Sequence, residues 1–296
     1  MTDSQPSATP SSSSLHRAGE DPRFDRPVFI VSSPRSGSTL LFETLARAPG
    51  LFTIGGESHK VIEGLAPLNV TERGFDSNRL EAIDASPTIT LALRQRFDSA
   101  LVDRDGVKPG PGRIRMLEKT PKNSLRIPFL ARVFPEARFV YLYRDPHQVL
   151  GSMIEAWNSG RFRTYTGLPG WPRPFWALLL TPGWRELAGK SLADIVAAQW
   201  ETTTRILLDD LEQLPRERWH ALNYEALVGS PKTEIDRLCA AFGLGWDRPL
   251  DGALPLARHT LTKPDPNKWR RHAAEIEPRL PRMQATIDRA ARIASM

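Results

Sequence analysis

The stretch from residue 28 to residue 45 constrains the fold of this chain more than any other segment. It begins with the apolar run VFIV, continues as SSPRSGST over residues 32–39, and returns to an apolar pattern at Leu40, Leu41 and Leu45. A short continuous apolar run is typical of a buried strand in a parallel sheet. Pro49-Gly50 then marks the end of a helix. The segment therefore predicts a strand, a tight loop and a helix in immediate succession.

The loop has the properties of an anion site. The first N–H groups of a helix have no partner within it, and the helix dipole is positive at that end. Hydroxyl groups add hydrogen-bond donors, and Arg35 adds a permanent positive charge. The ATP-type loop, G-x-x-x-x-G-K-[ST], carries a lysine that is missing here. We interpret the loop as a phosphate cradle, the alternative being a turn whose serines only cap the helix.

Composition limits the class of protein. A chain of 296 residues with 40% hydrophobic and 25% charged residues fits a single globular α/β domain. The net charge of +6 favours anionic partners, but no dense basic run points to nucleic acid. The longest apolar segment, residues 175–180, is too short to cross a bilayer, so we expect no stable membrane insertion.

The N-terminus and the single cysteine suggest an intracellular setting. Residues 1–24 are Ser-rich and polar, which predicts a disordered tail ahead of one domain over residues 25–296. The tail lacks the basic-then-apolar order of a secretory signal. Cys239 excludes an internal disulfide framework, and its apolar neighbours predict a buried thiol. We expect a cytoplasmic protein.

Further landmarks follow along the chain. A second buried strand over residues 137–143 leads into Asp145 as helix cap and Pro146 as first helical residue, and a third strand is predicted over residues 219–225. Helices are predicted over residues 192–214 and 231–242. The tryptophan-rich segment 158–190 fits a wall of a binding pocket or a core loop equally well. Core contacts are expected from Leu80, Ile83, Leu91, Leu93, Phe97 and Leu101.

The run P-R-S-G-S-T after a buried strand resembles the 5′-phosphosulfate loop of sulfotransferases that use 3′-phosphoadenylyl sulfate (PAPS). Its arginine-bearing form is similar to the tyrosylprotein and bacterial branch. The resemblance implies an α/β, P-loop-like three-layer fold, with a central parallel sheet of about five strands flanked by helices. It implies transfer of a sulfuryl group from PAPS to a hydroxyl, less readily an amine. The product would be 3′-phosphoadenosine 5′-phosphate (PAP), with no metal required.

The resemblance also assigns roles to residues at matching positions. Glu57, in a Gly-Glu context, corresponds to the general base, with His59 as a competing base whose ordinary pKa suits neutral pH better. Lys119, in E-K-T-P, corresponds to the lysine near the transferred group, where it and Arg35 would stabilise developing charge. Donor-binding positions are Arg35, Ser36, Gly37, Ser38, Thr39, Arg144, Ser152, Tyr224, Thr260, Lys263 and Lys268.

Arg144 and Ser152 have a specific physical purpose in this interpretation. PAPS carries a 3′-phosphate that ATP lacks, and an arginine at a strand end can bind it through two parallel hydrogen bonds. Two phosphate-binding positions at neighbouring strand ends also suit the carboxyl edge of a parallel sheet.

Two other classes of function remain open at this point. A P-loop kinase or NTPase would need an acidic magnesium ligand at a strand end, for which Asp145 is the candidate. A non-catalytic anion or nucleic-acid binder would show steep salt dependence and no preference for a 3′-phosphate. The expected partners are a nucleotide donor and a small, hydrophobic acceptor, although a peptide tyrosine or a sugar also fits. Oligomeric state is not predicted.

Overall fold

The computed structural model of the chain describes residues 21–250, 254–261 and 264–296. Within these residues, the centre of the fold is a five-stranded parallel sheet with the strand order β2-β3-β1-β4-β7. This confirms the predicted α/β fold with a central parallel sheet. A separate antiparallel hairpin is formed by β5 and β6. The strands are β1 (Val28–Val31), β2 (Leu51–Phe52), β3 (Arg115–Lys119), β4 (Arg138–Tyr143), β5 (Arg163–Thr166), β6 (Phe175–Ala177) and β7 (Trp219–Asn223).

Helices connect the strands and cover both faces of the sheet. The α-helices are α1 (Ser38–Leu45), α2 (His59–Glu63), α3 (Pro87–Ala100), α4 (Ile127–Val133), α5 (Pro146–Ser159), α6 (Leu192–Glu212), α7 (Tyr224–Gly229), α8 (Pro231–Phe242), α9 (Ala273–Ile276) and α10 (Leu280–Ala294). Short 3₁₀ helices cover Ala66–Leu68, Ala82–Asp84, Pro121–Leu125, Trp184–Leu187, Arg216–Arg218, Lys268–His272 and Glu277–Arg279.

The alternation of side chains along β1 explains the three layers. Phe29 and Val31 point to a core shared with α3, α4, α6 and α10, whereas Val28 and Ile30 point to one shared with α1 and α8. All four side chains are fully buried. Because β1 is buried on both faces, its sequence is a continuous apolar run.

The chain order places a crevice beside β1. After β1 the chain runs outward to the edge strand β2 and returns through β3, whereas after β4 it runs the other way towards β7. The connections that follow β1 and β4 therefore leave in opposite directions. Ligands of open parallel sheets bind in the crevice at such a switch point, outside the carboxyl ends of the strands.

Several predicted boundaries agree with the structure. Asp145 caps α5, accepting a hydrogen bond from the Gln148 backbone N–H, with Pro146 as the first helical residue. Helix α8 has the predicted bounds and ends at Gly243, whose backbone is left-handed. The β7 strand is shorter than expected because Asn223 caps the next helix, so Tyr224 is helical.

Other expectations were wrong in detail. Residues 21–24 pack against the domain instead of belonging to the predicted disordered tail: Phe24 is buried against Phe134, and Asp21 pairs with Arg94. Ile83 and Leu91 are exposed, not core residues. Leu93 and Phe97 are one turn apart on the buried face of α3, which directs Leu91 to the opposite side.

Candidate functional site

The loop between β1 and α1 is held in place by a buried serine of a neighbouring segment. The Ser32 backbone N–H donates to Ser124 Oγ at 3.0 Å, and the Ser124 hydroxyl donates back to the Ser32 carbonyl at 2.6 Å. Inside the loop, the hydroxyls of Ser33 and Ser36 share a 2.8 Å hydrogen bond. These bonds fix the loop so that the first turn of α1 opens towards the crevice.

Gly37 is required by two features of the same loop. Its φ of 96° lies in the left-handed region. A Cβ at this position would lie 2.4 Å from the ring of Tyr224, which follows β7. The missing side chain therefore allows an aromatic ring from the end of β7, two strands away, to close one side of the cradle. The guanidinium of Arg144 stacks on that ring at 4.3 Å.

Arg35 extends from the loop into the crevice. Its Nε donates to Ser152 Oγ at 3.4 Å and its Nη2 to the His259 carbonyl at 3.3 Å, while its guanidinium lies 4.6 Å from the centre of the Phe162 ring. Burial lowers the pKa of Arg35 to about 10, and the neighbouring charge of Arg144 adds to this effect. A guanidinium that is both buried and repelled marks a position that favours an anion.

Arg144 follows β4 and reaches the loop after β1. Its Nη1 donates to the Arg35 carbonyl at 3.2 Å, and its Nη2 donates to Gln148 Oε1 at 2.9 Å. The Gln148 amide in turn donates to Glu225 at 3.0 Å. Arg35 is thus hydrogen-bonded to Ser152 through its side chain and to Arg144 through its carbonyl, and Gln148 is an additional member of the group.

On the other side of β1, three ionisable groups form a chain. Lys119 Nζ, at the end of β3, donates to Glu57 Oε1 at 2.6 Å and to Thr39 Oγ1 at 3.1 Å. Glu57 Oε2 shares a 2.7 Å hydrogen bond with His59 Nε2. Burial alone would raise the pKa of Glu57, but the bond to His59 and the charge of Lys119 outweigh it and lower the pKa to about 2.

A buried network behind Glu57 fixes the position of its loop. Glu118 is fully buried and accepts hydrogen bonds from Ser58 Oγ at 2.7 Å, from Thr120 Oγ1 and from Asn123 Nδ2 at 2.6 Å. The Ser58 backbone N–H also donates to Thr120 at 2.7 Å. Because Ser58 follows Glu57 directly, this network ties the Glu57 carboxylate to the end of β3.

A cavity of about 600 Å³ connects these groups. Its lining includes Arg35, Gly37, Ser38, Thr39, Glu57, His59, Arg144, Ser152, Tyr224, Thr260 and Lys268. Ser36 and Lys119 are buried immediately behind that lining. Lys268 pairs with Glu155, which also lines the cavity. Lys263, another predicted donor contact, lies outside the described residues.

Some cavity residues were not anticipated from the sequence. Phe162, Tyr165, Leu178 and Leu179 form an apolar wall, and Glu63 and Lys122 place charges beside it. For the tryptophan-rich segment 158–190, a pocket wall and a core loop were equally possible, and its residues Trp171, Trp176 and Trp184 are packed in a separate core. The only available signal was the aromatic content of this segment, and it did not show which rings face the cavity.

The candidate magnesium ligand of a kinase is placed differently. Asp145 caps α5 and lies 3.3 Å from His147, and it is not part of the cavity lining. Arg144, its neighbour in sequence, is the residue that enters the cavity. This arrangement favours binding of anionic groups over a metal–nucleotide complex at this strand end.

Among the described helices, none has the length and the apolar content needed to cross a membrane.

Comparison with known proteins identifies relatives that align with about three quarters of this chain. A 28% identical relative over 273 residues is the omega-hydroxy-beta-dihydromenaquinone-9 sulfotransferase Stf3 of Mycobacterium bovis, covering 77% of this chain and 66% of that protein. The nodulation protein NoeE of Sinorhizobium fredii is 24% identical over 239 residues, covering 74% of this chain and 50% of that protein. The chain thus spans between half and two thirds of the length of these two relatives.

A solved sulfotransferase domain from the curacin biosynthetic pathway covers 92% of this chain and 98% of its own, with 21% identity and a TM-score of 0.49. A model of the sulfotransferase family matches residues 27–248, well over half of the chain. The chain belongs to the sulfotransferase family.

Proposed function

We propose that this protein transfers a sulfuryl group from PAPS to a hydroxyl group of an acceptor with an apolar body. The observation that carries the proposal is the arrangement around β1. The cradle after β1 has Arg144 and Tyr224 on its β4–β7 side and the Lys119–Glu57 pair on its β3–β2 side. One cavity joins the two sides. Such an arrangement suits a donor nucleotide on one side and an acceptor on the other.

The residues on the donor side fit a nucleotide with phosphates at both ends of its ribose. Arg35 and the first turn of α1 would hold the 5′-phosphosulfate, and Arg144 with Ser152 would hold the 3′-phosphate. Arg35 and Arg144 lie close enough to repel each other, which lowers the pKa of the already buried Arg35. Bound phosphates would relieve this repulsion. A doubly phosphorylated donor therefore accounts for the close approach of the two arginines.

Tyr224, Thr260 and Lys268 complete the proposed donor site. Tyr224 closes the cradle against Gly37, and its ring provides a flat apolar surface at the cavity. Thr260 and Lys268 line the same cavity from the C-terminal part of the chain. We therefore assign all three to nucleotide contacts.

In the proposed transfer, the acceptor oxygen forms a bond to sulfur while the bond from sulfur to the bridging phosphate oxygen breaks. Glu57 takes the proton of the acceptor hydroxyl, and Arg35 and Lys119 stabilise the negative charge on the departing phosphate. We assign the base role to Glu57 because Lys119 connects it to Thr39 of the cradle. His59 reaches Lys119 and the cradle only through Glu57, and it orients the Glu57 carboxylate through its Nε2 hydrogen bond.

The apolar part of the cavity lining suits an acceptor with a substantial apolar part. Phe162, Leu178 and Leu179 line the cavity. The name of the mycobacterial relative specifies an omega-hydroxylated dihydromenaquinone as the acceptor of that protein. We propose a hydroxylated acceptor of apolar character for this chain on the basis of the wall and this relative together.

The first test is calorimetric titration with PAP in the absence of metal ions. We expect micromolar or tighter binding, weakened about 10- to 100-fold by Arg144→Ala, because a charge-assisted pair of hydrogen bonds is lost. Arg205→Ala, which removes an exposed arginine on α6, is the matched control and should bind PAP like the wild type. Binding of ADP with magnesium, in place of PAP, would reject the proposal in favour of a kinase or NTPase.

A further inference from the structure

A second group of charges lines the cavity beyond Glu57. Lys122 Nζ lies 2.8 Å from both carboxylate oxygens of Glu63, and Arg126 Nη2 donates to the same carboxylate at 2.6 Å. The ammonium of Lys122 lies 4.9 Å from the centre of the Tyr165 ring. We call Glu63, Lys122, Arg126 and Tyr165 the Glu63 cluster. None of these residues has a role in the transfer proposed above.

The Glu63 cluster lies on the acceptor side of the cradle. His59 and Glu63 are four residues apart on α2, so they share a face of the helix and are separated by one turn, about 5–6 Å. Both line the cavity, as do Lys122 and Tyr165. Arg144 and Tyr224 lie across the cradle, beyond β1. A molecule whose hydroxyl reaches Glu57 would therefore extend towards the cluster.

The charges of the cluster do not balance. Lys122 and Arg126 carry two positive charges against the single carboxylate of Glu63, and their side chains are only 5% and 1% exposed. Burial lowers the pKa of Lys122 to about 8, and the charge of Arg126 adds to this effect, although the carboxylates of Glu63 and Glu57 oppose it. A buried excess of positive charge is unfavourable unless an anion accompanies it.

The cluster also has hydrogen-bond donors that are not used within it. Among the described residues, Arg126 Nη1 is buried without a hydrogen-bond partner. The Tyr165 hydroxyl accepts a 2.6 Å hydrogen bond from Asn78 Nδ2, which leaves its own proton available to donate. Lys122 and Tyr165 line the cavity and would present their donors to an incoming group with acceptor oxygens, whereas Arg126 is not part of the lining and adds its positive charge from behind them.

We propose that the Glu63 cluster binds a carboxylate, or an equivalent oxyanion, carried by the acceptor about one helix turn from the hydroxyl that receives the sulfuryl group. The inference rests on the proposed function and narrows it. It identifies the acceptor class as a hydroxylated organic acid with an apolar or aromatic body. Phe162, Leu178 and Leu179 provide the wall for that body, and Lys122 is the residue that sets the preference for an acid.

The test compares two probes that differ by one charge, 4-hydroxyphenylacetate and its neutral amide 4-hydroxyphenylacetamide. Each is titrated calorimetrically into the protein, with and without saturating PAP. We expect the wild type to bind the acid about tenfold more tightly than the amide, the size expected for a hydrogen bond to a charged group. Lys122→Met should remove this preference, whereas Lys60→Met, at an exposed lysine on α2, should retain it.

A purely structural ion pair makes different predictions. Removing either Lys122 or Glu63 would then lower the melting temperature and weaken the binding of both probes equally. In our proposal, Glu63→Gln increases the preference for the acid, because it removes the carboxylate that competes for Lys122 and Arg126. Acid binding near pH 8 should also take up protons, seen as a dependence of the binding enthalpy on the buffer, and Lys122→Met should abolish this uptake.

Failure of the two proposals can be told apart. If PAP does not bind, the proposed function is rejected, and the titrations without PAP still compare acid with amide. If PAP binds but acid and amide bind equally, or neither binds, the inference about the Glu63 cluster is rejected alone. An unchanged acid preference in Lys122→Met would also reject it.

Discussion

Lys119 Nζ lies 2.6 Å from Glu57 Oε1 and links that carboxylate to Thr39 in the first turn of α1, 3.1 Å away. The proposed base and the proposed charge-stabilising lysine are therefore in direct contact. Lys119 is 2% exposed and Glu57 is 25% exposed, so water screens the contact weakly. An anion that draws Lys119 towards it would raise the pKa of Glu57, which couples binding of the donor to the strength of the base.

The pH dependence of turnover distinguishes Glu57 from His59 as the base. With a pKa near 2 in the free protein, Glu57 is ionised throughout the neutral range. The kcat/KM for PAPS, which reports ionisation of the free enzyme, should therefore show no acid limb between pH 5 and 7. A general base with the ordinary titration range of a histidine would instead produce an acid limb within this interval. The measurement is the rate of PAP formation, with a phenolic acceptor, across this range.

The matching variants are Glu57→Gln and His59→Ala. Glu57→Gln should reduce kcat about 100-fold or more while leaving the Kd for PAP nearly unchanged. His59→Ala should retain most of kcat, and the acid limb, which lies below pH 5 in the wild type, should move to higher pH because a hydrogen bond that lowers the pKa of Glu57 is lost. Full activity in Glu57→Gln would exclude the base role assigned here.

The lowered pKa of Glu57 also predicts how the free energy of unfolding changes at acidic pH. A carboxylate with a lowered pKa stabilises the folded state fully above its ordinary pKa of 4.5, and this contribution is lost as pH falls towards 2. The difference in unfolding free energy between the wild type and Glu57→Gln should therefore be constant from pH 7 to 5 and shrink below pH 4.5. Urea unfolding at several pH values measures it, with Glu72→Gln, at an exposed glutamate, as the control.

Local sequence patterns were sufficient to predict the parts of the site that lie at strand ends. Arg35 follows β1 and Arg144 follows β4, and a parallel sheet brings the carboxyl ends of neighbouring strands to one edge. The apolar runs defined those strands, so the proximity of the two arginines followed from topology. Their contacts with a donor nucleotide stay predictions that the PAP titrations test.

The acceptor side could not be predicted in the same way. Glu63 and Lys122 are 59 residues apart, and no periodicity or turn signal relates them. The rings of Trp176 and Phe162 come from one irregular segment, yet the structure buries the first in a core and places the second over Arg35. Which aromatic ring faces a cavity depends on tertiary packing and not on the local sequence.

Substitution of Gly37 tests the close packing of the cradle against Tyr224. Gly37→Ala adds a Cβ that would lie 2.4 Å from the ring, on a backbone with a φ of 96°. Gly189→Ala is the matched control, because its φ is 77° and nothing lies within 4 Å of the added Cβ. We expect the control to lose about 1 kcal/mol of stability from the backbone alone, and Gly37→Ala to lose more and to bind PAP poorly.

The double variant Gly37→Ala/Tyr224→Ala separates the two causes. Removing the ring should reduce the cost of the added Cβ to that of the backbone, about the value found at Gly189. Chemical unfolding of the four members of the cycle provides the coupling free energy. Additive effects of the two substitutions would show that the ring does not pack against the loop as described.

Ser124 tests whether the cradle depends on an anchor outside its own sequence. Its hydroxyl is fully buried and pairs with both the N–H and the carbonyl of Ser32, 92 residues away. Ser124→Ala leaves two buried backbone groups without partners, which should cost about 1–3 kcal/mol of unfolding free energy and weaken PAP binding several-fold. Ser99→Ala removes an exposed hydroxyl that donates to the carbonyl of Arg96 within α3, and should change neither quantity appreciably. If Ser124→Ala lowers stability but leaves PAP binding intact, the anchor supports the fold without shaping the cradle.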